Sequence, residues 1–92
     1  MNHTDLRKAV AAATGLSGAD ADRAVTATLA TIADALAARD KVTLPGFGTF
    51  ETRERAARTG RNPQTGAALE IAASTSPAFK PATALKRQVA GG

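Results

Sequence analysis

The sequence predicts an α+β fold with an N-terminal helical hairpin, a three-stranded antiparallel sheet carrying a long β-ribbon arm, and a short C-terminal helix. Apolar residues recur with a helical period as far as residue 40 and alternate with polar residues from residue 41 onward. Within the alternating part, residues 60–66 form a turn-forming cluster of glycine, asparagine and proline. We therefore expect one domain over 1–92: a helical dimerisation base at 1–40, a sheet at 41–81 with its arm at about 53–71, and a last helix at 82–92.

Two capping signals define the helical hairpin. Asn2 followed by Asp5 is a variant of the capping box, and Gly15 is placed to end the first helix. Ser17 provides a second N-cap, and the chain leaves the second helix at Arg39 and Asp40. The apolar stripe of the second helix contains Ala21, Val25, Thr28, Leu29, Ile32 and Leu36.

The first strands follow directly. Val42 and Leu44 alternate with polar residues, which predicts a short, half-buried strand. Phe47 and Phe50 differ in parity, so a bulge or bend between them is expected if both are buried. From Thr49 the strand pattern continues to about residue 58 with a charge at most positions.

After the turn cluster, the strand pattern is less regular. Leu69 and Ile71 resume the alternation, and residues 74–77 (Ser-Thr-Ser-Pro) are expected to interrupt it. Residues 78–80 then form a further short strand piece. Pro81 can open the last helix because proline is tolerated in a first helical turn.

The apolar side chains are too small to build a large core. Of the 40 apolar residues, 23 are alanine, and the chain has no tryptophan, tyrosine or cysteine. Small chains bury a low share of their surface, and oligomerisation is a common solution. We therefore expect a dimer that folds as one unit.

Charge is unevenly distributed along the chain. The net charge is +4 with an isoelectric point near 10.4. Residues 1–40 carry a net −1 and residues 41–92 a net +5. This asymmetry indicates a polyanion-binding half attached to a nearly neutral half. The lack of cysteine, and of any signal-like or membrane-spanning apolar run, predicts a cytoplasmic protein with no membrane partner.

The arm is the candidate functional element. All four basic residues from 53 to 61 are arginine, and only Glu54 opposes them. Such a charged ribbon could simply protect a sheet edge, and composition alone leaves the two interpretations about even. Arginine suits bidentate phosphate contacts and insertion into narrow grooves. Pro63 at the tip is either a turn former or a rigid apolar wedge for a base step.

Catalytic and cofactor motifs are missing from the sequence. Gly60 and Gly66 are one residue too far apart for a phosphate-binding loop, and Ala67 stands where that loop needs lysine. A nucleophile needs a base to activate it, and His3, the only histidine, lies at an N-terminus that can fray. No cluster of residues suits a metal ion. We expect no enzyme activity, no cofactor and no metal.

Three motifs closely resemble the bacterial histone-like HU family of DNA-bending proteins. They are Pro-Gly-Phe-Gly-Thr-Phe at 45–50, Arg-Ala-Ala-Arg-Thr-Gly-Arg-Asn-Pro-Gln-Thr-Gly at 55–66 and Pro-Ala-Phe-Lys-Pro at 77–81. The resemblance covers essentially the whole chain. It implies an intertwined homodimer in which two arms grip the DNA minor groove, bend the DNA and organise the bacterial nucleoid. It also implies largely sequence-independent binding to double-stranded DNA, with a preference for kinked, nicked or gapped sites.

The resemblance further assigns residues to roles. Pro63 matches the proline that intercalates at the arm tip, and His3 and Thr83 stand where members commonly carry lysine. The implied DNA-binding residues are Arg53, Arg55, Arg58, Arg61, Asn62, Pro63, Gln64, Lys80 and Lys86. The implied dimer core consists of Leu29, Ile32, Leu36, Leu44, Phe47, Phe50 and Phe79.

Three alternatives stay open at this point. A site-preferring DNA bender resembling integration host factor is the first, and it would commonly act with a second type of subunit. A dimeric scaffold module whose basic arm grips an acidic protein is the second, from a different functional class. Duplex RNA is the third partner, although its wide, shallow minor groove fits an inserted wedge poorly.

Overall fold

A computed structural model describes residues 1–91, and the predicted α+β fold class, with two N-terminal helices, an antiparallel sheet and a C-terminal helix, is confirmed. Two helices precede five strands and a final helix. They are α1 (His3–Thr14), α2 (Gly18–Ala37), β1 (Val42–Leu44), β2 (Gly48–Arg55), β3 (Arg58–Arg61), β4 (Ala68–Ile71), β5 (Ser74–Pro81) and α3 (Thr83–Gly91). No helix within the described residues is long and apolar enough to cross a membrane.

The helix ends form as their local sequences predict. Asn2 Oδ1 accepts the Asp5 N–H at 2.9 Å, and the Asp5 carboxylate accepts the Asn2 N–H at 3.2 Å, which completes the capping box. Gly15 ends α1 in the left-handed region at φ 77°. Ser17 Oγ caps α2 by accepting the Asp20 N–H at 3.1 Å. These contacts span three or four residues, so local sequence is enough to specify them.

The strands form two separate sheets. The body sheet has the order β1-β2-β5, with both pairs antiparallel, and the arm is a two-stranded sheet of β3 and β4. The expectation of one unbroken strand from Thr49 to about Arg58 is wrong, because residues 56–57 lie in no strand and neither do residues 72–73 on the return. Two alanines on each side therefore separate the arm from the body sheet.

Another strand prediction is also wrong. Residues 74–77 do not interrupt the return, because β5 pairs with β2 from Arg55↔Ser74 to Gly48↔Pro81. The prolines of β5 are tolerated because β5 is an edge strand. A bulge or bend between Phe47 and Phe50 is expected only if both are buried, and Phe47 is 47% exposed. The strands β1 and β2 pair in continuous register from Val42↔Phe50 to Leu44↔Gly48.

The three phenylalanines meet without a bulge because Phe47 lies in the turn before β2 and not in the strand itself. The Phe47 and Phe79 ring centroids are 5.5 Å apart, and those of Phe50 and Phe79 are 4.8 Å apart. Phe50 and Phe79 are direct partners across β2 and β5. This aromatic cluster lies where the sheet meets the turn that follows β1.

The single chain has almost no core of its own. Within residues 1–91, Ala21 and Val25 are the only buried apolar residues. Compact chains of this length have a radius of gyration of about 12 Å. The value for this chain is 19.1 Å, and its longest dimension is 59 Å. Its apolar residues are therefore spread over an extended body and arm.

The predicted dimer-core residues lie at the surface of the chain. Leu29 is 52% exposed and Phe47 is 47% exposed. Leu44 and Phe79 are also exposed, whereas Ile32, Leu36 and Phe50 are half-buried. Large apolar side chains are mostly inside in folded proteins. These positions are available to be covered by another chain.

Candidate nucleic-acid interface

The body sheet has one face against the helices and one open face. Side chains alternate between the two faces of a strand. Glu54 and Thr75 face the helices, because both contact the Arg39 side chain at the end of α2. Arg53 and Arg55 have the opposite parity on β2. They therefore project from the open face.

The open face also holds a nearly buried carboxylate. Glu51 Oε1 lies 3.1 Å from Lys80 Nζ, and Glu51 Oε2 lies 3.8 Å from Lys41 Nζ. The hydrogen bond from Lys80 lowers the pKa of Glu51, and the charges of Lys80, Lys41 and Arg53 lower it further against the opposing effect of burial. Lys80, a predicted DNA contact, is thus already paired within the protein.

The arm presents arginine on both of its faces. Arg58 pairs with Ile71 across the ribbon and Arg61 pairs with Ala68, and the two arginines differ in parity. The Ile71 side chain lies close over Gly60, where an added Cβ would be 3.3 Å from Ile71 Cδ1. A ribbon with cations on both faces can contact both walls of a groove.

The arginines of β2 and of the arm have no carboxylate partner in the part of the chain that the structure describes. Within residues 1–91, no ion pair involves the arginines at 53, 55, 58 or 61. Glu54, the one carboxylate between them, is held 3.6 Å from Arg39 on the helix side of the sheet. The positive charge of the arm is therefore available to an external anion.

An ordered turn closes the arm tip. The Asn62 N–H donates to Ala67 O at 2.8 Å, and the Gly66 N–H donates back to Asn62 O at 2.7 Å, with Gly66 at φ 72°. Asn62 Oδ1 also accepts the Gln64 N–H at 2.9 Å. Pro63 sits exposed at the end of this turn and takes no part in these hydrogen bonds. The tip therefore holds an exposed, rigid apolar ring.

The structure separates the predicted DNA contacts into three groups. Arg53 and Arg55 lie on β2, and Lys80 and Lys86 lie on β5 and α3. The other predicted contacts lie in the arm: Arg58, Arg61, Asn62, Pro63 and Gln64. Asn62 also stabilises the turn, besides any contact with a ligand.

Sequence reasoning missed Lys41 as a member of the open face. Its parity with Glu51 across β1 and β2 is the signal that could have found it.

His3, in the first turn of α1, is also paired within the chain. His3 Nε2 lies 2.8 Å from Asp22 Oδ1, so the N-terminal turn of α1 is joined to the first turns of α2. His3 stands where the resemblance would place a lysine. The ring faces a carboxylate of its own chain.

The chain is similar to known DNA-binding proteins over nearly its whole length. The chain is 59% identical over 91 residues to DNA-binding protein HU 1 of Bacillus subtilis, with 99% of each chain covered. It is 60% identical over 89 residues to DNA-binding protein HU of Geobacillus stearothermophilus, covering 97% of this chain and 99% of that one. Among solved structures, an Anabaena HU–DNA cocrystal structure matches with a TM-score of 0.88 and 46% identity, covering all of both chains.

A family model described as bacterial DNA-binding protein matches residues 1–90. That family is defined by DNA binding and is not a family of enzymes. The match spans the helical hairpin, the body sheet, the arm and nearly all of α3. The chain belongs to the bacterial DNA-binding protein family that includes HU.

Proposed function

We propose that this protein is a histone-like DNA-bending protein that acts as a homodimer and binds double-stranded DNA largely independently of sequence. Two arms would grip the minor groove, and the open face of the body sheet would contact the DNA between them. One observation carries the proposal: an ordered turn holds Pro63 exposed at the end of a ribbon whose two arginines make no ion pair within residues 1–91. The Anabaena relative is described as an HU–DNA cocrystal, which supports the same partner.

The dimer rests on the exposed apolar surface. An open groove between α1 and α2 is lined mainly by Leu6, Val10, Val25 and Leu29. Burial of apolar area favours association by roughly 25 cal/mol per Å², and the loss of translational, rotational and side-chain freedom offsets part of that gain. A second copy covering this groove and the phenylalanine cluster would supply the core that one chain lacks. Sedimentation of the purified protein tests this, and a stably folded monomer would contradict it.

The energetics favour DNA that is already deformed. Bending a site of 20–30 base pairs by a large angle costs roughly 1–6 kcal/mol, and unstacking a base step costs a few kcal/mol more. Phosphate contacts made by the arms and the open face must offset both costs. A nick or gap removes part of the stacking before binding. Tighter binding to nicked duplex is therefore expected.

The predicted DNA-binding residues would have different roles in this complex. Arg53, Arg55, Arg58 and Arg61 would contact phosphates and the groove, and Pro63 would enter a base step. Asn62 and Gln64 would flank that wedge, whereas Lys80 and Lys86 would contact the DNA flanks. Residues 1–92 would act as one domain, with the helical base dimerising and the arm binding. The protein would have no enzymatic activity and would act on the nucleoid in the cytoplasm.

A salt-titrated mobility-shift assay on intact and nicked duplexes tests the proposal. The arginines at 53, 55, 58 and 61 number eight in a dimer and would contribute at most about −7 to the slope of log K against log salt, and contacts from Lys80 and Lys86 would steepen that slope. Nicked duplex should bind more tightly at every salt concentration. Tight binding to one sequence only would indicate a site-preferring bender. No DNA binding at physiological salt would favour an acidic protein as the partner and would overturn the proposal.

A further inference from the structure

Arg39 makes contacts that join the end of α2 to the body sheet. Its Nη1 donates to Ala37 O at 3.1 Å, and its Nη2 donates to Thr75 Oγ1 at 3.2 Å. Its Nε lies 3.6 Å from Glu54 Oε1. All three guanidinium nitrogens are therefore engaged, one with the helix and two with the sheet.

The two sheet contacts lie on neighbouring strands at the base of the arm. Glu54 on β2 and Thr75 on β5 are direct partners across the sheet. Only one further pair, Arg55↔Ser74, follows before the sheet ends. Beyond it lie the non-strand residues 56–57 and 72–73, and then the arm itself. Arg39 thus holds the second-to-last pair of the body sheet.

The backbone conformation of Arg39 is set by the end of α2. Arg39 has φ 63°, and it is the only non-glycine residue with positive φ within residues 1–91. Its N–H donates to Leu36 O at 3.0 Å and the Asp40 N–H donates to Ala35 O at 2.9 Å, which is the pattern of a Schellman motif, whose left-handed position is usually glycine. This chain has a long side chain at that position, and the side chain reaches the base of the arm.

We propose that Arg39 is a positioning residue for DNA bending, a role that rests on the proposed function. By holding the Glu54↔Thr75 pair against α2, it keeps the pivot of the arm at residues 56–57 and 72–73. Without it, the last pairs of β2 and β5 fray and the pivot moves into the body sheet. The arms then sample a wider range of directions before binding. Forming the complex with DNA therefore costs more conformational entropy.

Arg39 acts from the side of the sheet away from the DNA. Its contacts are on the helix-facing side, whereas Arg53 and Arg55 project from the open face. A residue that contacts phosphate changes the salt dependence of binding, and a residue that only positions others does not. This difference separates the proposal from an additional direct DNA contact.

The first measurement uses the free protein. Arg39→Asn keeps a residue that tolerates positive φ and removes the reach to the sheet. Amide hydrogen exchange at residues 54, 55, 74 and 75 should accelerate about twofold to fivefold, as expected for loss of an exposed ion pair. Arg23→Ala removes an exposed arginine paired with Asp20 on α2 and is the matched control for charge, with no change expected at those amides. Unchanged exchange in Arg39→Asn would overturn the brace.

The second measurement uses DNA. Fluorescence energy transfer between labelled duplex ends should report a smaller mean bend with Arg39→Asn, and affinity should fall about twofold to fivefold. The slope of log K against log salt should match that of the wild type. Arg39→Lys, which keeps the charge, should recover part of the bend. A reduced salt slope would instead make Arg39 a direct phosphate contact and would overturn the positioning role.

Thr75→Val removes the same contact by changing the strand residue instead of Arg39. It removes the hydroxyl that accepts from Arg39 and keeps a β-branched strand residue, so it should reproduce part of the exchange and bending effects. In the Arg39→Asn background it should add nothing further. Full additivity of the two changes would contradict the brace. A wild-type protein that fails to bend DNA overturns the proposed function, whereas equal bending by wild type and Arg39→Asn overturns the role of Arg39 alone.

Discussion

Pro63→Ala removes the proposed wedge and keeps the turn at the arm tip. The turn is held by hydrogen bonds from the Asn62, Gln64 and Gly66 N–H groups, and Pro63 contributes to none of them. Alanine can adopt the backbone angle that proline fixes, so the tip should keep its shape. The loss of rigidity costs about 0.4–1 kcal/mol in ordering the tip. The main change is the loss of the ring.

The size of the effect follows from what the ring would bury. Alanine lacks two of the ring methylenes, and a buried methylene contributes about 0.8 kcal/mol. Each arm therefore loses about 1.6 kcal/mol, and a dimer about 3 kcal/mol, if both rings are fully inserted. The variant can avoid part of this loss by leaving the base steps stacked, which saves a few kcal/mol at each step. Affinity should thus fall by less than the roughly 150-fold that 3 kcal/mol represents, while the bend decreases clearly.

Fluorescence energy transfer across a labelled duplex measures the bend, and a mobility-shift titration on the same duplex measures the affinity. Thr65→Ser is the matched control, because it keeps the hydroxyl that accepts the Ala67 N–H in the same turn. On nicked duplex, where stacking is already interrupted, the difference between Pro63→Ala and wild type should shrink. An unchanged bend, or equal proportional losses of bend and affinity, would refute the wedge.

Three further predictions test other parts of the structure. Arg58→Ala or Arg61→Ala should weaken binding to all DNA sequences and reduce the salt slope by about 1.8, since a dimer loses two contacts; loss at a single sequence would contradict this. Glu51→Gln should lower the thermal stability at neutral pH, because the pKa of Glu51 in the folded protein lies below its ordinary value of 4.5. That difference should disappear as the pH falls through the folded-state pKa and wild-type Glu51 becomes protonated, and a pH-independent difference would argue against the ion pair. Gly48→Ala should destabilise the fold by about 1–3 kcal/mol in thermal unfolding, because its Cβ would lie 2.5 Å from the Phe79 ring and 2.6 Å from a backbone oxygen; Gly18→Ala, whose Cβ would meet nothing within 4 Å, is the control.

The parts of the fold that sequence reasoning predicted correctly depend on short-range signals. The capping box at Asn2, the glycine end of α1 and the Ser17 cap each involve residues within four positions of one another. The turn cluster around Pro63 is equally local, and its arginine neighbours stand out by charge alone. The amino-acid sequence alone is therefore enough to locate the arm and its tip. The assignment of individual residues to DNA contacts stays a prediction.

The strand errors have a common physical cause. Residues 74–77 have a sequence typical of a loop, yet pairing with β2 makes them a strand, since an edge position tolerates proline. Residues 56–57 read as a continuation of the strand, yet pairing stops there. Strand formation depends on the partner strand, and no local pattern states where a partner begins or ends.

By itself, the sequence determined a helical hairpin, a basic arm with proline at its tip, and a core too small for one chain. Only the tertiary structure decided which face of the sheet each arginine occupies, where the arm separates from the body, and that Lys80 is paired with Glu51. It also placed Arg39 against Thr75, a contact between residues 36 positions apart in the chain. Helix caps and turns are specified by neighbours in sequence. Ion pairs and strand ends are specified by neighbours in space, and these become known only when the chain is folded.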